Sequence, residues 1–226
     1  SRKGNERRIM PSKKTESTTS TMTVDAIGIG EVIVNLVGET ELITHNFDEK
    51  QKKKIGDGEG GNTSPNTKKK QPRTEEVIKD EYERAYYRTS EGKPAFKANG
   101  LKLAMVSACR DLDMKMTEAR GRFHVIGDEQ DLLEIIPAKN GEPYMRTDTV
   151  RVGNGSATLR YRPGFPAGWT VKARIQYNKA HLTPEAIVNI LNQAGFGVGL
   201  CEWRPEKNGP HGRFHVESVS IERDAA

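Results

Sequence analysis

The sequence predicts an α+β fold: an antiparallel sheet carrying two helices and extra hairpins. Three observations lead there. Segments rich in Val and Ile, partly alternating, mark strands near both ends of the chain and in its middle. Two apolar-striped helices interrupt those strands. The resulting order is strand, helix, several strands, helix, strand, which is the β-α-β-β-α-β order of a ferredoxin-like domain.

The elements follow in order. Residues 1–22, rich in Ser, Thr and Lys, read as a disordered basic arm. Thr23 to Val37 reads as the first strand. ETELITHNFDEK (39–50) is an extended segment turning into a short helix. Residues 50–73 hold Gly, Asn, Pro and Lys without periodicity and read as a flexible basic insertion. Residues 74–88 form a helix or turn with a tyrosine cluster, and EGKPAF (91–96) a turn. Asn99 is placed to cap a helix over Gly100–Asp111, where Leu101, Met105, Ala108 and Cys109 share one face. Strands are expected around Arg120–Ile126, Leu132–Ile136, Thr147–Val152, Ser156–Arg162 and Trp169–Tyr177. A second helix then starts with Thr183 as N-cap and Pro184 at N1. Its stripe is Ile187, Ile190, Leu191 and Ala194, and Gly195 is its expected stop. Arg213–Ile221 is the last strand. The organisation is one domain over 23–221, with a short tail at 222–226.

Charge is unevenly spread. The net +5 resolves into +4 over residues 1–23, -6 over 24–49, +6 over 50–73 and +1 over 74–226. The excess thus sits on two low-complexity arms, a pattern that suits either phosphate contact or simple solubility. No run of about 18 apolar residues exists, so no transmembrane helix is expected. The basic start lacks an apolar stretch and does not read as a secretory signal. The two cysteines, Cys109 and Cys201, are far apart, which disfavours a disulfide framework or a zinc site and fits a reducing cytoplasm.

Motifs exclude much chemistry. The sequence contains no GxSxG, GxxxxGK[ST] or HExxH. GIGEVIVNLVG lacks the third glycine of a dinucleotide loop and opens a strand. No cofactor or metal ligand set is assigned. His211 and His215 are four apart but flank a strand start, so they do not form a helical metal pair. The catalytic candidates are His211 and His45, as acid or base in a metal-independent endoribonuclease. GRFHV occurs twice, at Gly121–Val125 and Gly212–Val216. Strand alternation would put its Phe in a core and its His outside.

Binding candidates are more numerous. Arg146, Arg151, Arg160 and Arg162 crowd one segment against a single acid, Asp148. Arg160 and Arg162 share a strand face, and Arg174 lies nearby, as a phosphate-contacting sheet would require. After the second helix, Gly197, Gly199, Gly209 and Gly212 could bring backbone N–H groups close to a phosphate. Phe196 and Trp203 offer stacking surfaces, although Trp203 could equally plug the core; Arg204, Lys207 and Arg213 offer charge. Lys102 on the first helix and Lys52, Lys53, Lys54, Lys68, Lys69 and Lys70 on the insertion complete the set.

Two segments carry a family resemblance. Gly92-Lys-Pro-Ala-Phe-Lys-Ala-Asn-Gly-Leu-Lys-Leu-Ala-Met-Val-Ser-Ala108 is similar to the "G-x-P-x-h-p-x-x-x-L-K-x-A-h-x-x-A" opening of a first helix. Glu39-Thr-Glu-Leu-Ile-Thr-His45 is similar to "t-P-L-h-h", with Glu41 where proline is common. With the glycine-rich connector Gly195–Gly212, the chain resembles the RAMP superfamily, the ferredoxin-like RNA-binding proteins of CRISPR effector complexes, over roughly residues 24–221. The Thr40–His45 and Glu202–Phe214 segments also resemble signatures of tailed-bacteriophage proteins. The family's glycine loop is more compact: here Cys201–Asn208 interrupts it, and no dedicated processing histidine or cleavage aspartate matches. The resemblance therefore implies non-catalytic binding of single-stranded RNA or DNA through its backbone, as an oligomer or ribonucleoprotein part, in the cytoplasm of a bacterial host. A phage assembly protein using its basic arms to associate is the alternative.

Overall fold

The computed structural model describes residues 26–46, 74–152 and 156–221. The two arms, the tail and Lys52, Lys53, Lys54, Lys68, Lys69 and Lys70 lie outside the described residues. The central sheet holds β1 (Ile29–Gly38), β5 (Phe123–Ile126), β9 (Thr170–Asn178) and β10 (Phe214–Ile221), in the order β10-β1-β9-β5. Every neighbouring pair is antiparallel. Helix α2 (Ala98–Ala108) lies between β1 and β5 in sequence, and α4 (Pro184–Gln193) between β9 and β10. This is the split βαβ arrangement that the element order predicts.

The core follows from alternation. Val32, Val34 and Leu36 of β1 and Val171, Ala173 and Ile175 of β9 are buried on one face. Leu101, Met105 and Ala108 of α2 and Ile187, Ile190 and Leu191 of α4 pack into the same cluster. Fully burying each Val, Leu, Ile or Met among them is worth about 1.5–3 kcal/mol. At the end of β1 the absent side chain of Gly38 makes room for the fully buried Trp169, whose Nε1 donates to Thr40 O at 2.8 Å.

The remaining elements are insertions into this frame. Between β1 and α2 come β2 (Leu42–Ile43), α1 (Glu75–Arg84), β3 (Tyr87–Arg88) and β4 (Pro94–Lys97). Between β5 and β9 come β6 (Leu132–Glu134) and the hairpin of β7 (Tyr144–Val152) and β8 (Ser156–Phe165). β2, β8 and β7 form a second sheet; β3, β4 and β6 form a third. No helix of the described residues is long and apolar enough to cross a membrane.

Three local expectations are corrected, and a fourth is described only in part. Helix α2 starts at Ala98, so Asn99 lies inside it and is not its cap. Residues before Phe123 do not form a strand: α3 (Met116–Arg122) carries Gly121 as a helical residue and buries Ala119. The expected extended segment after β1 includes the two-residue β2, and its expected helical end at 47–50 lies outside the described residues. Gly195 does not stop α4; the chain continues as a π-helical turn over Ala194–Val198, and Gly199 turns it at φ +73°. The reading of Thr183 and Pro184 agrees with the structure, Thr183 Oγ1 accepting from Ala186 N at 3.2 Å.

The repeated GRFHV occupies the two edge strands of the sheet. Phe123 of β5 and Phe214 of β10 are both buried, and His124 and His215 are exposed. The two copies sit at equivalent places in the two βαβ halves. Their entries differ, since β5 leaves helix α3 and β10 is entered through Gly212 at φ +71°.

Candidate nucleic-acid interface

The connector from Ala194 to Arg213 is folded back on itself and pinned to the Glu41–Ile43 segment at β2. Leu200 N donates to Gly212 O, Gly212 N to Glu41 O and Glu202 N to Ile43 O, at 2.7–3.0 Å. His211 N donates to Trp203 O at 3.1 Å. Three non-glycine residues hold left-handed backbone here: Cys201, Trp203 and Asn208, at φ +60°, +50° and +59°. Such conformations each cost on the order of 1–3 kcal/mol and persist only where surrounding contacts impose them.

These bonds correct the phosphate-cradle expectation at three glycines. The N–H groups of Gly199, Gly209 and Gly212 are bonded to the carbonyls of Ala194, Arg204 and Glu41. A side chain at Gly209 would overlap the Trp203 carbonyl, and one at Gly212 the Leu200 carbonyl. They serve close packing of the connector. Gly197 stands apart, exposed at the tip beside Phe196.

Beneath the connector lies a buried charge cluster. Antiparallel register puts Arg146 opposite Arg162 and Asp148 opposite Arg160, on one face of the β7–β8 hairpin. Asp148 and Arg162 are only 6% and 2% exposed. Arg162 Nη2 donates to Asp148 Oδ2 at 2.8 Å and its Nη1 to Glu202 Oε2 at 3.3 Å. Arg146 Nε bonds Asp148 and its Nη1 reaches Glu41 Oε2 at 2.5 Å. Tyr144 donates its phenol proton to Glu41 Oε1, which lifts the phenol's pKa. Trp203 closes the cluster: Arg162 and Arg146 stand 5.0 and 5.4 Å from its ring, and His211 stacks on it at 6.2 Å. Glu41, Tyr144 and Glu202 were not singled out from sequence for this role.

The arginine face is therefore not a uniform phosphate surface. Arg146 and Arg162 are committed to internal carboxylates, and Trp203 plugs the cluster. Arg160 is 3.9 Å from Glu81. Arg151 is exposed on the opposite face of β7. Arg174 is exposed on the uncovered face of the central sheet, 3.6 Å from Glu31. Lys102 Nζ is 3.0 Å from His124 Nδ1. Arg204 bonds Glu206 at 2.8 Å and Cys201 O at 3.1 Å, and Lys207 is exposed on the turn that follows.

Both candidate histidines border this cluster. Burial, first of all, pulls His45 and His211 below the usual histidine range; Arg162 also lowers both, while Glu202 and Glu41 respectively oppose the shift. His211 Nδ1 is 3.4 Å from Glu41 Oε2. Burial also pushes the Cys201 thiol up to about 12, so it stays protonated. No group of three metal-ligating side chains occurs among the described residues.

The outward features lie at the connector's tip. Phe196 is 67% exposed, and the Arg213 guanidinium stands 5.3 Å over its ring. Arg213 is held from the other side by Glu39 at 2.9 Å. Two residues further on, Val198 enters the wall of a groove of about 230 Å³ that runs between the connector and α2.

No family model matches the sequence, and no curated protein matches it. Solved structures do. A chain of the type III-B Cmr-beta complex bound to cognate target RNA aligns over 87% of this chain at 11% identity, with a TM-score of 0.50. The architecture is shared. This chain spans 62% of that one, less than two thirds of its length. Cmr6 from Pyrococcus furiosus aligns over 84% of this chain and all of its own, at 7% identity and a TM-score of 0.43.

Proposed function

We propose that this protein is a RAMP-like nucleic-acid-binding protein that holds single-stranded RNA or DNA without cleaving it. The observation that carries this reading is Phe196. A large aromatic ring, two-thirds exposed and capped by a guanidinium, sits on a connector immobilised by backbone hydrogen bonds. An aromatic face with an adjacent arginine is a sequence-tolerant platform for an unpaired base, and a rigid platform loses little entropy on binding. The fold likeness to a chain from an RNA-bound complex supports the same reading.

Positive charge, of which Arg213 stands at the platform itself, supplies the backbone term. Arg213, Lys207, Lys102, Arg151 and Arg174 are the described candidates, and the lysines of the 50–73 segment add to them. His211 and His45 are assigned no catalytic role in this reading, which takes both as neighbours of the charge cluster. The Thr40–His45 and Glu202–Phe214 signatures support a phage or prophage source, with the protein working as an oligomer or a ribonucleoprotein part in the bacterial host.

The test is titration of a labelled single strand, with a duplex control. If roughly four to six phosphates are contacted, affinity falls about a hundredfold to a thousandfold between about 50 and 200 mM salt. Binding to no nucleic acid, or binding indifferent to salt, overturns the proposal.

A further inference from the structure

Nothing above assigns the groove between α2 and the connector. Its floor and walls are apolar: Phe96, Leu103, Ala104, Val198 and Leu200 line it. Leu103 is 58% exposed on its lip, unusual for a leucine unless something covers it. Gly100 leaves one side open, with no atom closer than 4.0 Å to where a side chain would start.

The polar groups of the groove are the informative part. Its acids are Glu202 and Glu206. Both oxygens of Glu206 are engaged, one accepting from Ser107 and the other from Arg204. Glu202 gives Oε2 to Arg162, which leaves Oε1 as an acceptor without a hydrogen-bond partner among the described residues. Of the groove's basic groups, Arg204 bonds Glu206 and Cys201 O, Lys97 donates to Gln130 O, and His45, which also lines it, is held below the usual histidine range by burial. A phosphate would meet a carboxylate here. A flat neutral group that donates a hydrogen bond would not.

We infer that the groove receives one unstacked nucleobase bearing an exocyclic amino group, with Glu202 accepting from that amino group. This rests on the single-strand reading above and adds base preference to it. Val198 and Gly199, which line the groove, follow Phe196 by two and three residues, so platform and groove belong to the same connector. Carboxylates accept from the amino group of cytosine, whereas uracil presents a carbonyl oxygen at the same place. Setting that oxygen against Glu202 leaves two acceptors facing each other with no proton between them.

Oligocytidylate and oligouridylate of equal length separate the possibilities, since their bases differ in little but that edge. The full chain is expected to bind oligocytidylate more tightly, by roughly 5- to 150-fold. Leu103→Trp, which fills the groove from an exposed position, and Glu202→Gln, which replaces the carboxylate while keeping an oxygen for Arg162, should each bring the ratio toward one. Equal affinities for the wild-type chain overturn the groove assignment and leave the single-strand reading standing. A preference that survives both variants also overturns it. Failure to bind either oligomer overturns both readings.

Discussion

Asp148 Oδ2 accepts from Arg162 Nη2 at 2.8 Å, and the two side chains are 6% and 3% exposed. This pair anchors the connector to the hairpin, because the same guanidinium reaches Glu202 and lies under Trp203. Removing the carboxylate leaves a buried cation with too few partners. Asp148→Ala is therefore expected to cost about 3–5 kcal/mol, read from the urea midpoint. Asp148→Leu combined with Arg162→Met should recover part of that loss, because no buried charge is then left unpaired. A single Asp148→Ala change of stability below about 1 kcal/mol would show that the cluster is not closed in solution.

The connector's glycines should divide into two groups. Gly212 sits at φ +71° against the Leu200 carbonyl, so Gly212→Ala meets both strain and overlap and should cost roughly 1–3 kcal/mol. Gly197 has negative φ and nothing closer than Gln193 Nε2 at 3.4 Å. Gly197→Ala should stay within about 0.5 kcal/mol of the parent in the same denaturation assay.

That division was only half legible in the sequence. The glycines were visible as a cluster, but nothing local says whose N–H is already bonded; the partner of Gly212 is Glu41, just before β2 and distant in sequence. The same holds for the arginines. Alternation correctly put Arg160 and Arg162 on one face, yet their exposure depended on acids far away in sequence, Glu41 being 105 residues from Arg146 and Glu202 40 residues from Arg162. Helix α4 was read well because its signals are local: a Thr cap, a Pro at N1 and an apolar stripe. Helix α3 was misread because its end runs into GRFHV, whose alternation suggests strand, and because its helicity is secured by tertiary burial of Ala119.

Stability should fall on mild acidification. Burial lowers the pKa of both His45 and His211 in the folded chain, so below about 6.5 the unfolded chain binds more protons than the folded one. The stability contributed is complete above the unfolded value and is lost as pH drops through the folded values. The urea midpoint at about pH 5.5 should lie below that at about pH 7.5, and His45→Gln with His211→Gln should flatten the difference. An unchanged slope in the double variant would assign the pH dependence to other groups.

Phe196 offers a sharper test of function than any charged residue, because it contributes little to the fold. Its ring is 67% exposed, so Phe196→Ala should leave the unfolding midpoint nearly unchanged. Stacking of one base on an aromatic ring is worth about 1–3 kcal/mol, so the variant should bind a single strand about 5- to 150-fold more weakly. Its salt slope should match the parent's, since no phosphate contact is removed. Arg213→Ala should differ in kind, weakening binding and also lowering the slope by roughly one unit. A Phe196→Ala protein that is folded and binds with parental affinity would remove the platform from the interface.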